Sequence, residues 1–362
     1  MFISCIISPF PTGNPPTEQQ FVVQSLRKKD MITIHGKNGI KATVLAHSIT
    51  ATGKELITWE IEYPRLILAE LNTHRQLSRN SYSSRAVPFM KMLEQLQGEP
   101  VRFGANQAGM QDKGEDFDAP VWLTPDVLVT KTGAWRQARQ MMISVAKAFS
   151  DAGYHKQVYN RLLEAWQMQK TVLSATEVDN FFWLRDDDAA DPTIRELARV
   201  MREAKNASTP ECLEPGEWHL PYIDISREGG IRRYSIMEGE NTKRFLGVDN
   251  AIKVSCARSA AVSYRNEGYD LTKSLEVYDK LVGSERKHAS AFEHQGTPMQ
   301  ETDTIDIDDE NIKDINYPCD TDSWEPGITH MDRSCKFWSG NFQGWIQYRK
   351  LIPGECYSTE IA

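Results

Sequence analysis

Two short runs constrain this chain most. Lys41-Ala-Thr-Val-Leu-Ala46 and Leu56-Ile-Thr-Trp-Glu-Ile-Glu62 are rich in β-branched residues and alternate along their length. A two-residue period turns one face of a strand to a core, so the segment 31–64 is predicted to form strands. Pro64 then opens a helix through Leu66, Ile67 and Leu71, since its fixed φ suits a first turn. Further along, the period lengthens. Ile194, Leu197, Ala198 and Met201 mark the buried face of a helix running from Pro192 to Lys205. A helix is also expected from Glu177 to Arg185, and another over 133–168. The apolar stripe of that last one, Met141, Met142, Val145, Ala146 and Phe149, is expected in the core.

The remaining segments read as connections. Residues 95–130 are loop-rich, 206–250 turn-rich, and 252–264 helical. Residues 1–30 read as a disordered leader before Met31, which could itself be the natural start. Residues 300–326 are strongly acidic and suggest an exposed insertion. A calcium-binding EF-hand loop is the sharper reading of that insertion, but its glycine and twelve-residue ligand spacing are absent. Three regions follow: the leader 1–30, a core 31–205, and a region 206–362 that completes the core.

With 362 residues the chain is long enough for one large or two smaller domains. Its formal net charge of −8 excludes a generic nucleic-acid binder. Six scattered cysteines form no CxxC pair, so a zinc ribbon or dithiol redox site is not indicated and no metal is expected. Such cysteines fit a reducing, cytoplasmic setting. No apolar run approaches the roughly 20 residues of a membrane helix, and residues 1–7 lack the basic region of a signal peptide.

Against this acidic background, Thr73-His-Arg-Gln-Leu-Ser-Arg-Asn-Ser-Tyr-Ser-Ser-Arg85 is anomalous. It holds three arginines, a histidine, an asparagine and four serines, with no acid. Guanidinium groups match phosphate oxygens in a bidentate fork, while serine and asparagine add short donors and favour helix starts. The positive charge is local, which suits a small anionic ligand. The alternative is a solvated basic helix face.

The same stretch resembles the signature of the flavin-dependent thymidylate synthases, RHRxxSxNxxSxR. His74, Arg75, Ser78, Asn80, Ser83 and Arg85 fall in register; Thr73 stands in place of the first arginine. A second block, Ser174-Ala-Thr-Glu-Val-Asp-Asn-Phe-Phe-Trp-Leu-Arg185, resembles NARSxxNFxxLR at Asn180, Phe181, Leu184 and Arg185, with Ser174 and Thr176 replacing the usual Asn and Arg. Ile194–Ala198 resembles the family's EIRxxA helix, and Arg161-Leu-Leu-Glu its RxxLP element without the proline. A third block, His288-Ala-Ser-Ala-Phe-Glu-His294, resembles HxTPFEH, led by the AARVS-like Ala257–Ser263. In the family these precede the arginine motif. Here they follow it by about 200 residues, as if permuted, which nearby chain termini make tolerable. Gln347-Tyr-Arg-Lys350 echoes the QxxR that normally leads into the motif, whose own glutamine position holds Glu70. A C-terminal segment is therefore expected to supply groups around residues 70–73.

The resemblance implies an α+β fold, a twisted mixed or antiparallel sheet with packed helices, assembled as a homotetramer. It implies FAD as cofactor, NADPH as reductant and methylenetetrahydrofolate as carbon donor for C5 methylation of dUMP. Thr73, His74, Arg75, Ser81, Asn180 and Ser290 would contact FAD. Glu70, Ser83, Ser84, Arg85 and Arg161 would contact the nucleotide, with Arg85 and Arg161 on its phosphate. Arg185 would face the pyrimidine, favour N3 ionisation and so serve catalysis. Ser83 as a nucleophile has no histidine base beside it in sequence. Pro318-Cys319 matches the dipeptide of the cysteine-dependent thymidylate synthases but lies in the acidic insertion. His288, Glu293 and His294 could hold a metal; the resemblance implies flavin contact or packing instead. Two other readings stand beside this one: C5 methylation or hydroxymethylation of another pyrimidine nucleotide such as dCMP, and a flavin-free nucleotide-binding homologue.

Overall fold

The computed structural model describes residues 31–108, 114–238, 242–263, 270–300 and 324–356. The leader, most of the acidic insertion and Pro318-Cys319 lie outside the described residues.

The first strands are β1 (Thr33–His35), β2 (Lys41–Thr50), β3 (Glu55–Pro64) and β4 (Ser78–Ser81). A hairpin, β5 (Val121–Thr124) and β6 (Val127–Val129), precedes β7 (Met168–Ala175) and β8 (Glu211–Leu213). The central sheet runs β1-β2-β3-β7-β4 and is antiparallel. β8 joins the other end of β2's outer edge in parallel. The arginine motif thus supplies an edge strand, β4, paired with β7 from Ser78↔Ser174 to Ser81↔Thr171. The helix start that serine and asparagine favour is not the setting of Ser78–Ser81, whose backbone is extended and satisfied by pairing with β7.

The helices are α1 (Leu68–Asn72), α2 (Phe89–Leu93), α3 (Lys131–Asp151), α4 (Lys156–Tyr159), α5 (Asp179–Arg185), α6 (Pro192–Ala207), α7 (Val248–Ala260) and α8 (Leu271–Gly283). A tight 3-10 turn, Arg65–Ile67, intervenes between Pro64 and α1. Asp191 caps α6 by accepting from the backbone N–H of Thr193 and Ile194, with Pro192 in its first turn. Ile194, Leu197, Ala198 and Met201 are fully buried and belong to one core with Ile40, just before β2, and with Ala42, Trp59 and Ile61 of the sheet. Trp59 meets Phe182 of α5 edge-on.

Three expectations are corrected. The helix expected over 133–168 ends at Asp151, where Gly153 takes a φ of 84° that leaves the helix; α4 and a 3-10 turn, Asn160–Trp166, follow before β7. The stripe on α3 is only partly core: Ala146 is buried and Met142 and Phe149 pack beside it, but Met141 is 61% exposed and Val145 also faces out. Trp135, Met142, Ala146 and Phe149 keep the 3.6-residue register, while Met141 and Val145 lie about 100° round the helix. The turn-rich segment 206–250 is a meander, β9 (Asp224–Glu228), β10 (Ile231–Glu238) and β11 (Thr242–Leu246). Its arginines obscured the strands. Arg232, for example, is nearly buried against Glu211 and Glu217.

A second core gathers this meander, α7 and α8 around Ile236, Val254, Ala257 and Phe292. The C-terminal stretch forms β12 (Gly296–Pro298), β13 (His330–Met331), β14 (Phe337–Ser339), β15 (Phe342–Gln343) and β16 (Trp345–Gln347). Phe342 and Trp345 are fully buried with Leu56 and Leu213. Among the described residues no helix is long and apolar enough to cross a membrane.

Candidate functional site

The turn between α1 and β4 brings distant segments together. Arg185, the last residue of α5, donates from Nε to His74 Nε2 at 2.9 Å and reaches Thr73 Oγ1 from Nη2 at 3.5 Å. Because Nε2 accepts, the His74 ring is neutral and carries its proton on Nδ1. Burial, then the charges of Arg185 and Arg79, push its pKa below the ordinary value and favour that form. The ring stands edge-on to Phe181, 4.9 Å between centroids, so α5 fixes both partners.

Further along β4, Asn80 donates to the carbonyl of Ser259 at 2.7 Å and accepts from the Ser290 hydroxyl at 3.2 Å. Ser259 belongs to the AARVS-like block and Ser290 to the HxTPFEH-like block. Both displaced blocks therefore reach the motif. Ser78 is buried, donates to Asn341 Oδ1 and accepts from Asn341 Nδ2 and Gln347 Nε2. Asn341 also donates to the carbonyl of Gln76 at 2.8 Å. The C-terminal segment does meet the motif, but at residues 76–78 rather than the expected 70–73.

The motif's arginines divide by role. Arg79 turns inward and donates to the carbonyls of Leu71 and His74, so it staples the turn instead of facing a ligand. Arg75 and Arg85 are exposed, and neither forms an ion pair among the described residues. Asn160 donates to the carbonyls of Ser84 and Val87, which sets its exposed neighbour Arg161 on a segment adjoining Arg85. Arg161 is likewise without an ion pair among the described residues. Two guanidiniums on adjoining backbone segments can share one anion.

Other expected residues have protein partners. Ser84 is buried and donates to Glu164, which pairs with Arg65 at 3.0 Å. Ser81 hydrogen-bonds Thr171. Ser83 is half-buried. Asn180 is exposed on the first turn of α5, outside the contacts around His74. Thr73 donates to the carbonyl of Glu70. One carboxylate oxygen of Glu70 is buried without a hydrogen-bond partner, so the corner offers an acceptor to a donor from outside the chain.

The residues considered for a metal do not make one. His294 is buried against Ser174, Glu293 pairs with Arg349, and no metal-holding cluster occurs among the described residues. Sequence reading missed His219, which joins His294 in a buried chain. Ser48 and Thr58 hydrogen-bond the two nitrogens of His219, Thr58 meets Ser174 at 2.6 Å, and Ser174 meets His294 at 2.9 Å. It also missed Tyr222, whose φ of 67° is rare for a bulky side chain and whose hydroxyl donates to Glu60 at 2.8 Å. No local pattern marks either, since their partners lie over 150 residues away. No known family profile matches the chain, and no curated protein matches it.

Proposed function

We propose that this protein is an FAD-dependent thymidylate synthase, methylating C5 of dUMP with methylenetetrahydrofolate as carbon donor and NADPH as reductant, in the cytoplasm and as a homotetramer. One observation carries the reading. Three segments that resemble the same family's blocks, separated by about 100 and 200 residues, converge on the turn before β4 and on β4 itself: Arg185 on His74, and Ser290 on Asn80. Local sequence similarity does not require such convergence.

The donor set suits a flavin cofactor. Arg75 is an exposed cation with no ion pair among the described residues and would meet its phosphates, Asn80, Asn180 and Ser290 are neutral hydrogen-bonding groups, and Glu70 leaves a buried acceptor. When bound, the flavin supplies the hydride chemistry and the protein positions and polarises. Neutral His74 offers its Nδ1 proton as a donor. Arg185, held by His74 and Thr73, keeps its charge oriented at the corner and would favour an ionised pyrimidine N3, which raises electron density at C5. Arg85 and Arg161 would clamp the nucleotide phosphate.

The test is direct. The purified protein should show flavin absorbance, or acquire it with added FAD, and should convert labelled dUMP to dTMP with NADPH and methylenetetrahydrofolate. A protein that stays colourless with FAD would reject the reading; product from dCMP alone would reassign the substrate.

A further inference from the structure

Half of the large apolar side chains that stand exposed among the described residues fall within residues 117–158, a stretch that carries none of the family-like blocks. The hairpin β5–β6 opposes Trp122 to Leu128 and Val121 to Val129, and all but Val129 are exposed. Two strands alone are marginal in water and need a further layer. β6 leads straight into α3, and β5 lies against that helix. At the other end of α3, exposed Tyr154 stands beside Phe149, 5.2 Å between ring centroids.

Between these ends the outward side of α3 carries Ala134, Ala138, Met141, Val145, Ala148 and, at its C-cap, Ala152. The intervals alternate between four and three residues, the a/d spacing that keeps a seam turned to a partner helix. From Ala138 onward every member is exposed. The helix packs on its own subunit through Trp135, Met142, Ala146 and Phe149 instead. The seam holds no charged side chain. Gln137 and Ser144 on its flank are neutral, and Lys147 and Asp151 beyond them pair with each other at 2.7 Å. By size the seam also reads the same in both directions: two alanines, Met141 and Val145, two alanines.

We infer that α3 pairs antiparallel with the same helix of a second copy across a two-fold axis, Met141 against Val145 of the partner subunit and Ala138 against Ala148 of the partner subunit. Such an interface is isologous, one patch serving both subunits. Reversal keeps alanine against alanine, which lets the backbones approach, and sets the two helix dipoles head to tail. By their fractional exposures the apolar side chains of 117–158 offer roughly 1,000 Å². That exceeds both the few hundred Å² of an ordinary monomer's patch and the ~800 Å² each partner gives to a standard interface. The inference goes beyond the flavin reading and does not rest on it: the homotetramer there follows from resemblance, while this interface follows from the surface of α3.

Light scattering of the full chain, with and without FAD, tests it. The wild type should have the mass of a dimer or of a multiple of one. Met141→Glu combined with Val145→Glu should halve that mass and keep the far-UV circular dichroism, since both positions are exposed. Disulfide trapping reads the same contact without charge. Ala138→Cys combined with Ala148→Cys should crosslink two subunits under mild oxidation, while either substitution alone should not exceed the wild-type level. At 1.5 Å per residue, position 138 lies about 15 Å along the axis from its own copy, beyond disulfide reach. A monomeric wild type, an undiminished mass for Met141→Glu with Val145→Glu, or crosslinking by a single substitution instead of the pair would overturn the inference. A chain that stays colourless with FAD yet assembles through α3 would sink the flavin reading alone.

Discussion

At the scale of single residues, the site turns on which charges are spent. Arg79 is committed to two backbone carbonyls, while Arg75, Arg85 and Arg161 are exposed and form no ion pair among the described residues. Arg185 is intermediate, with two contacts on the motif turn. Lysine at position 185 keeps the charge but lacks the planar fork that meets His74 and Thr73 together. Arg185→Lys is therefore expected to lower kcat/KM for dUMP by roughly 10- to 150-fold, the worth of one charge-assisted hydrogen bond. A change under about 3-fold in steady-state assays would detach Arg185 from the chemistry. Arg85→Ala and Arg161→Ala should each weaken dUMP binding by a similar factor with flavin content unchanged, read by equilibrium titration and visible absorbance. The hydroxyl of Ser84 already serves Glu164, so Ser84→Ala is expected to cost stability, about 1–3 kcal/mol for a stranded buried partner, more than affinity.

Among the elements, β4 matters most because it is an edge strand with partners from three later segments. The buried chain Ser48–His219–Thr58–Ser174–His294 ties two sheet strands and β7 to the turns that carry His219 and His294. Thr58 is its middle link and touches both Ser174 and His219. Thr58→Val preserves shape and removes both bonds, leaving buried polar groups on either side. Its expected cost is about 2–4 kcal/mol in urea unfolding, from two groups at roughly 1–2 kcal/mol each. Valine tolerated at no cost would show that the chain contributes nothing. Removing the α6 cap with Asp191→Ala should cost about 1 kcal/mol by the same measurement.

For the whole molecule, acid sensitivity follows from its buried histidines. Burial pushes His294 down to about 3 and His219 well below its ordinary value. Below pH ~6.5 the unfolded chain takes up protons at these positions while the native state does not, so stability falls as pH falls. The loss continues for His294 until about pH 3, at about 1.4 kcal/mol per pH unit. Between pH 7.5 and 5.0 His294 should therefore remove about 2 kcal/mol, with His219 adding a loss of the same sign, and His294→Gln should flatten the profile by one proton's worth. Urea midpoints that stay constant over that range would contradict the neutral burial of both rings.

Local pattern already decided much of this protein. The alternation at 41–46 and 56–62 and the helical stripe at 194–201 identify β2, β3 and α6, because burial of one face demands those periods. The composition of 73–85 singled out the candidate anion corner, since it concentrates three arginines and four serines without an acid. Pattern failed where partners are remote. The strand state of β4 comes from pairing with β7, the meander at 224–246 was masked by arginines that pair with Glu211 and Glu217, and Met141 and Val145 are exposed because α3 packs through a neighbouring stripe. How Arg185 and Ser290 reach the motif, and how Asn341 meets Gln76, depend on contacts across 111, 210 and 265 residues. Those contacts are set by how the sheet and cores pack, and no local period encodes them.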